Sequence, residues 1–235
     1  DDVVASARFR LGIFPRPVAA HPVQCDCGVF LTSADPDHVL VCPRIGGANT
    51  TRHNTVQRTW HRVAFSCAQA TSVEPSYKHL MRAGALGAGN RGDIVFASVG
   101  QDTVVGDVAI IHPGGQAVVE RASREAGSAA EGRAKEKEDG VPAEWRAFTF
   151  VPLVMETYGK MCKQAEDFLR DMIDRAHSER NRASALRSAR MRLSVALCKG
   201  NGFVFRRAVG IMAKVTGQDW QRGAPTPFLD DADDE

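Results

Sequence analysis

The sequence predicts a mixed α/β protein, a small sheet flanked by helices, with a Cys/His-rich N-terminal segment and a helical C-terminal extension. Three observations lead there. Ile94-Val-Phe-Ala-Ser-Val99 and Thr103-Val-Val-Gly-Asp-Val-Ala-Ile-Ile111 are apolar, β-branched runs separated by Gly100-Gln-Asp102, the pattern of a β-hairpin. Val56, Trp60, Val63, Ala64 and Cys67 recur at helical spacing and define one buried face. Cys25, Cys27, His38 and Cys42 crowd into eighteen residues, in a stretch with few large apolar side chains to fold around.

Taken in order, residues 1–48 form an irregular lead-in followed by the Cys/His cluster, ending at Gly46-Gly47. A helix is expected from Asn49–Thr51, both residue types being good N-caps. A short strand should end at Glu74, which Pro75 biases towards an extended backbone. The Gly/Ala-rich residues 82–90 read as a loop, the hairpin follows, and His112-Pro113-Gly-Gly115 stops its second strand. Residues 116–140 read as charged helix, and Phe148-Thr-Phe-Val151 as a strand closed by Pro152. Phe168, Leu169, Met172, Ile173 and Ala176 make an amphipathic stripe, and Leu186, Leu193 and Leu197 continue it less regularly. Gly200-Asn-Gly202 is expected to break the helices before a last one over 203–215. The organisation is therefore 1–48 lead-in and knuckle, 49–156 core, 157–220 basic helical extension, and 221–235 an acidic tail expected to be disordered.

With 235 residues the chain can form one sizeable core with appendages, or two small domains. No run approaches the roughly 18 apolar residues of a membrane span, and no signal peptide is visible. These features predict an intracellular location without a membrane partner. The start at Asp1-Asp2 predicts a piece of a longer polypeptide. The six cysteines lack the pattern of a secreted disulfide framework, which favours a reducing compartment and metal binding.

Cys25-x-Cys27, ten residues, His38, three residues, Cys42 supplies three thiolates and an imidazole, the tetrahedral ligand set of a closed structural zinc site. The one-residue gap between the first two cysteines is tighter than usual, and His53 is an alternative fourth ligand to His38.

Thirteen residues separate Asp93 from Asp107. With a loop centred near Gly100, antiparallel pairing sets position 93 opposite 107 to 109, on one face. Two close carboxylates repel unless a cation lies between them, and Mg²⁺ or Mn²⁺ suits such a pair together with water and phosphate oxygens. Glu74 is a candidate third carboxylate. The plain alternative is a pair of solvated strand-end aspartates.

Charge is uneven despite a net +2. Between Arg175 and Lys214 ten Lys/Arg face one acid, Glu179, while Asp230 to Glu235 carries five acids. Arg182, Arg187, Arg190, Arg206 and Arg207 are candidates for phosphate contact, as are Arg52 and His53 at a helix start. The competing reading is a solvated helix face.

The ordered set Cys-x-Cys, His-x-x-x-Cys, Arg52-His53-Asn54, Glu74-Pro75, Arg91-Gly92-Asp93, Gly106-Asp107-Val108, a Lys-bearing helix and Phe150-Val-Pro-Leu-Val-Met-Glu-Thr-Tyr-Gly159 resembles the C-terminal restriction-like endonuclease region of non-LTR (LINE-type) retrotransposon polyproteins, over roughly residues 8 to 215. The resemblance implies a zinc knuckle coupled to a PD-(D/E)XK nuclease core, a mixed sheet flanked by helices. It implies nicking of double-stranded chromosomal DNA, hence a nuclear location, to prime an upstream reverse transcriptase, with no small-molecule substrate. It assigns Asp93 and Asp107 as catalytic Mg²⁺ or Mn²⁺ ligands, Glu74 as an added acid, and Cys25, Cys27, His38 and Cys42 as zinc ligands. The chain departs from the pattern at Gly92, where a proline is expected, at Ala109, where the signature lysine would stand, and at Asn54, where relatives often carry Asp. In that branch the lysine commonly sits on the following helix, which makes Lys135 the first candidate and Lys137 the second. The departures also admit a catalytically inactive, zinc-dependent nucleic-acid-binding module attached to a reverse transcriptase.

Overall fold

The computed structural model describes residues 23–25, 27–31, 37–42, 44–45, 47–67, 70–73, 92–97, 103–115, 117–141 and 148–216. Glu74, the 82–90 segment and the 221–235 tail lie outside these residues. Elements run β1 (Val23–Gln24), β2 (Phe30–Leu31), α1 (His38–Val41), α2 (Ala48–Ser66), β3 (Ala70–Val73), β4 (Ile94–Ala97), β5 (Val104–Ile111), α3 (Val119–Arg124), α4 (Ser128–Asp139), β6 (Thr149–Glu156), α5 (Lys163–Ala176) and α6 (Glu179–Thr216).

The architecture is mixed α/β. β3, β4, β5 and β6 form one sheet in that order, the first two pairings antiparallel and β5–β6 parallel. The parallel step needs a crossover, and α3 and α4 supply it. Side chains alternate between faces along each strand, which sorts the helices into two layers. Phe96 lies on one face, edge-on to Phe168 of α5 at 5.0 Å, with Trp60 of α2 against the same ring. Asp107, on the opposite face, meets Lys137 of α4. The sheet is thus sandwiched, and its core gathers Val56, Trp60, Ile94, Leu153, Leu169 and Met172, each almost fully buried.

Two expectations change. Pro152 does not close the last strand, because β6 runs on to Glu156. β6 is the sheet edge, so a residue lacking an N–H can be accommodated without interrupting an interior ladder. Gly200-Asn-Gly202 does not break the C-terminal helices, because α6 continues through it to Thr216. A Cβ at Gly200 would lie 2.6 Å from Arg52 Cγ, so this glycine serves the close crossing of α6 over α2. Leu169, Met172 and Ile173 of α5 and Leu193 and Leu197 of α6 belong to the same core as the sheet.

Gly106 is a second close approach. A Cβ there would meet Leu153 Cδ1 at 2.7 Å and Phe96 Cε2 at 2.8 Å, so the residue beside Asp107 must be small for the core to pack beneath it. A smaller apolar cluster joins the N-terminal segment to the end of α6: Val39, Leu40, Ile45 and Ala48 pack with Val204, Phe205 and Ala208, and Cys25 and Cys27 border it. No helix among the described residues is long and apolar enough to cross a membrane.

Candidate functional site

Two clusters of chemistry-bearing side chains stand out, and α2 begins beside one and reaches the other.

The first is the Cys/His cluster. Cys25 and Cys27 flank the β1–β2 turn, closed by Cys25 N–H donating to Val29 O and Gly28 N–H donating to Cys25 O, both at 2.8 Å. Gly28 has φ +91°, a conformation that favours glycine. His38 opens α1 and Cys42 closes it, one helical turn apart, with Cys42 N–H donating to His38 O. The four ligand atoms all lie within 4.8 Å of one another, with Cys25 Sγ to Cys42 Sγ at 3.3 Å and Cys27 Sγ to His38 Nε2 at 2.9 Å. The three cysteines are free thiols. Burial and the neighbouring sulfurs push the Cys42 thiol up to about 12. Burial works against ionisation of Cys27 too, but hydrogen bonds from the Val29 backbone and from Cys25 and Cys42 hold its thiol below the ordinary value. Three soft donors and an imidazole packed so closely can hold a metal such as zinc. His38 completes the set, whereas His53 lies in the other cluster.

The second cluster is at the hairpin. Ile94 pairs with Gly106, and Asp93 N–H donates to Gly106 O at 3.0 Å, so one further step in register sets Asp93 opposite Asp107. The two carboxyls lie close enough to perturb each other's ionisation. Asp93 Oδ2 accepts from Val108 N–H at 2.7 Å and lies 3.0 Å from His53 Nε2. Lys137 Nζ donates to Asp107 Oδ2 at 2.7 Å, both side chains being about four-fifths buried. Gln57, one turn beyond His53 on α2, donates to the backbone oxygen of Asp93 at 2.9 Å.

Of the two lysines named from the sequence, Lys137 reaches Asp107 and Lys135 is exposed. Ala130 and Ala134 are fully buried at i and i+4, and position i+7 on the same face is 137. Residue 135 points away for the same reason. That alanine stripe was the signal available in the sequence for choosing between them. Gln57 was missed. Its signal was a polar residue four positions after His53, on a stretch of helix otherwise marked by Val56 and Trp60.

Electrostatics splits the carboxyls. Burial raises Asp93, but His53, Asp107 and the Val108 N–H outweigh it and hold its carboxyl below the ordinary value. Burial, with Asp93 beside it, pushes Asp107 up despite Lys137. Burial opposes protonation of His53, yet Asp93 and Asn54 hold the imidazolium above its ordinary range. Because folded His53 keeps its proton to higher pH than the unfolded residue, its stabilisation is complete on the acid side and is lost as pH rises through the folded value. Asp93 contributes above the ordinary carboxylate range, and loses that contribution as pH falls through its own lowered value. The pair is therefore strongest in the mildly acidic window between. Asp93→Asn is expected to bring the His53 midpoint down in an NMR titration of the ring, and an unmoved midpoint would contradict the pairing.

The phosphate-contact candidates divide. Arg52 is a correction: it is 5% exposed, its Nη1 donates to Asn201 Oδ1 at 3.1 Å and its Nη2 to Leu40 O at 3.2 Å, so it cannot face a phosphate. Burial lowers this guanidinium to about 10. The bonds continue from Asn201 Nδ2 to Thr157 O at 2.8 Å, then from Thr157 Oγ1 to His112 Nδ1 at 2.8 Å. His112 Nε2 lies 3.4 Å from Asp37 Oδ2, which also accepts from Tyr158 Oη at 2.9 Å. Arg52 thus belongs to a polar belt that ties the residues around His38 to the sheet. His53 faces Asp93. Arg190 pairs with Glu166, and Arg182 donates to His177 O. Arg187, Arg206 and Arg207 are exposed, and the last two line a shallow cavity of about 420 Å³ with Gly47, Thr51 and Phe203.

The chain matches no protein-family model and no curated protein sequence.

Proposed function

We propose that the Asp93–Asp107–Lys137 cluster is the active site of a metal-dependent DNA endonuclease. The observation that carries this reading is the closeness of two carboxyls at the end of the β4–β5 pairing, with a lysine ammonium on the second. The mixed sheet flanked by helices is the architecture that the resemblance to retrotransposon endonuclease regions implies.

The residues fit a hard divalent cation. Burial raises Asp107 and the neighbouring Asp93 adds to it, a repulsion that a cation between two acids relieves. Asp93 and Asp107 would hold Mg²⁺ or Mn²⁺, and when bound such an ion lowers the pKa of water and offsets charge at phosphorus. Asp107 holds the Lys137 ammonium beside the site, where it offsets charge on the phosphate oxygens as the attacking oxygen adds and the leaving oxygen departs. Val108 N–H fixes Asp93, so the acids need little reorganisation during reaction. Exposed Arg187, Arg206 and Arg207 supply sequence-independent grip on phosphates, which predicts steep weakening of binding with salt. The Cys/His cluster would carry structural zinc. Double-stranded DNA as substrate, a reverse transcriptase in the same polyprotein and nuclear action complete the proposal.

A second reading has its own support. Asp93 and Asp107 already have side-chain partners in His53 and Lys137, as in a structural polar network. That favours a non-catalytic zinc-dependent nucleic-acid-binding module. Plasmid nicking by Lys137→Met and Lys135→Met separates the two. The nuclease reading expects a loss of about a hundredfold or more in the first and little change in the second. Equal activities would remove Lys137 from the mechanism.

A further inference from the structure

We infer that His53 is a positioning residue for Asp93, fixing which carboxylate oxygen is presented to a divalent cation. The inference rests on the reading of Asp93 and Asp107 as cation ligands and adds a residue to which that reading gives no part.

His53 Nε2 faces two acceptors, Asp93 Oδ2 at 3.0 Å and Val108 O at 3.1 Å. A carbonyl oxygen cannot donate, and neither can an ionised carboxylate, so Nε2 carries the hydrogen. A protonated ring nitrogen has no lone pair for a metal. His53 is therefore not a ligand through Nε2 while these bonds stand. Consistent with this, His53, Asp93 and Asp107 do not form a mutually close ligand triad; among the described residues only the Cys/His cluster does.

Asp93 Oδ2 thus receives two donors, the imidazole N–H and the Val108 N–H at 2.7 Å. Oδ1 is left as the oxygen to face a cation. Lys137 does the same for Asp107 by occupying its Oδ2. The second ring nitrogen of His53 lies 3.2 Å from the Asn54 side chain, which fixes the plane of the ring. Gln57 holds the Asp93 backbone from the same face of α2. That helix is anchored by Val56 and Trp60, both fully buried, so the clamp is mounted on a rigid element. Groups that orient a ligand from behind typically change metal affinity about tenfold to a hundredfold when removed.

The test is Mn²⁺ binding to the full zinc-loaded chain, followed by the EPR signal of free Mn²⁺, for the parent protein, Asp107→Asn, His53→Ala and His53→Gln. Glutamine retains an N–H donor near the Nε2 position. The expected result is one Mn²⁺ site lost in Asp107→Asn, weakened about tenfold to a hundredfold in His53→Ala, and largely restored in His53→Gln. Parent-like Mn²⁺ affinity in His53→Ala overturns the positioning role and leaves the nuclease reading standing. Equal weakening in the alanine and glutamine variants, with equally lowered melting temperatures, also overturns it by making His53 a residue of the fold. Absence of Mn²⁺ binding by the parent protein overturns both.

Discussion

Asp93→Ala is expected to abolish nicking while the protein still binds DNA. Asp93 is held by His53 and Val108 through its side chain and by Gln57 through its backbone, so truncation removes only the carboxylate from the reacting region. The loss should reach about a thousandfold, the upper range for removing one preorganised electrostatic group. Truncation also strands the His53 and Val108 donors, at a cost of about 1–3 kcal/mol. A chain of this size should then melt several degrees lower yet remain folded. Asp93→Asn separates the effects: its amide oxygen can still accept from Val108, so stability should recover while nicking does not. DNA binding should survive in both, because the exposed arginines are supplied by α6 and not by the hairpin. Binding lost together with cleavage, in variants with native melting behaviour, would make Asp93 part of a DNA-contact surface instead.

Removal of the proposed zinc from the Cys/His cluster is expected to have the second large effect. Structural zinc sites in small modules supply about 10–16 kcal/mol of apparent binding free energy near neutral pH, and their folding depends on it. Here β1 and β2 are two residues each and α1 is four, too short to persist alone. The loss should be local. Val39, Leu40, Ile45 and Ala48 pack against Val204, Phe205 and Ala208, whereas the sheet core around Leu153 and Leu169 is built without them. Hydrogen exchange after chelation is therefore expected to accelerate over 25–45 and 203–208 and to stay slow over β5 and β6. Cys42→Ser should reproduce the pattern. Unchanged protection after verified release of the metal would contradict a structural role for the cluster.

Much of this arrangement was legible in local sequence. The two apolar, β-branched runs made the antiparallel pairing of β4 with β5 legible, with Ile94 against Gly106. The Cys/His spacing was legible because α1 lets residues four apart meet at one point. What was hidden depended on distant partners. Gly200 looks like a helix breaker until Arg52 is seen beneath it, 148 positions earlier in the chain. Arg52 looks like a phosphate ligand until Asn201 and Leu40 O are seen to satisfy it. Pro152 looks like a terminator unless β6 is known to be the sheet edge. Lys137 and Lys135 are equivalent in a charge run, and the buried Ala130–Ala134 stripe alone distinguishes them.

The most direct test of the carboxylate site is nicking of supercoiled plasmid by the zinc-loaded chain in Mg²⁺ or Mn²⁺, beside Asp107→Asn. The account predicts metal-dependent nicking by the parent chain and its loss in the variant, whose amide oxygen can still accept from Lys137 and so keep the protein folded. Folded, zinc-loaded protein that binds DNA without nicking it in either metal, or a variant that nicks as well as the parent, would contradict the nuclease assignment.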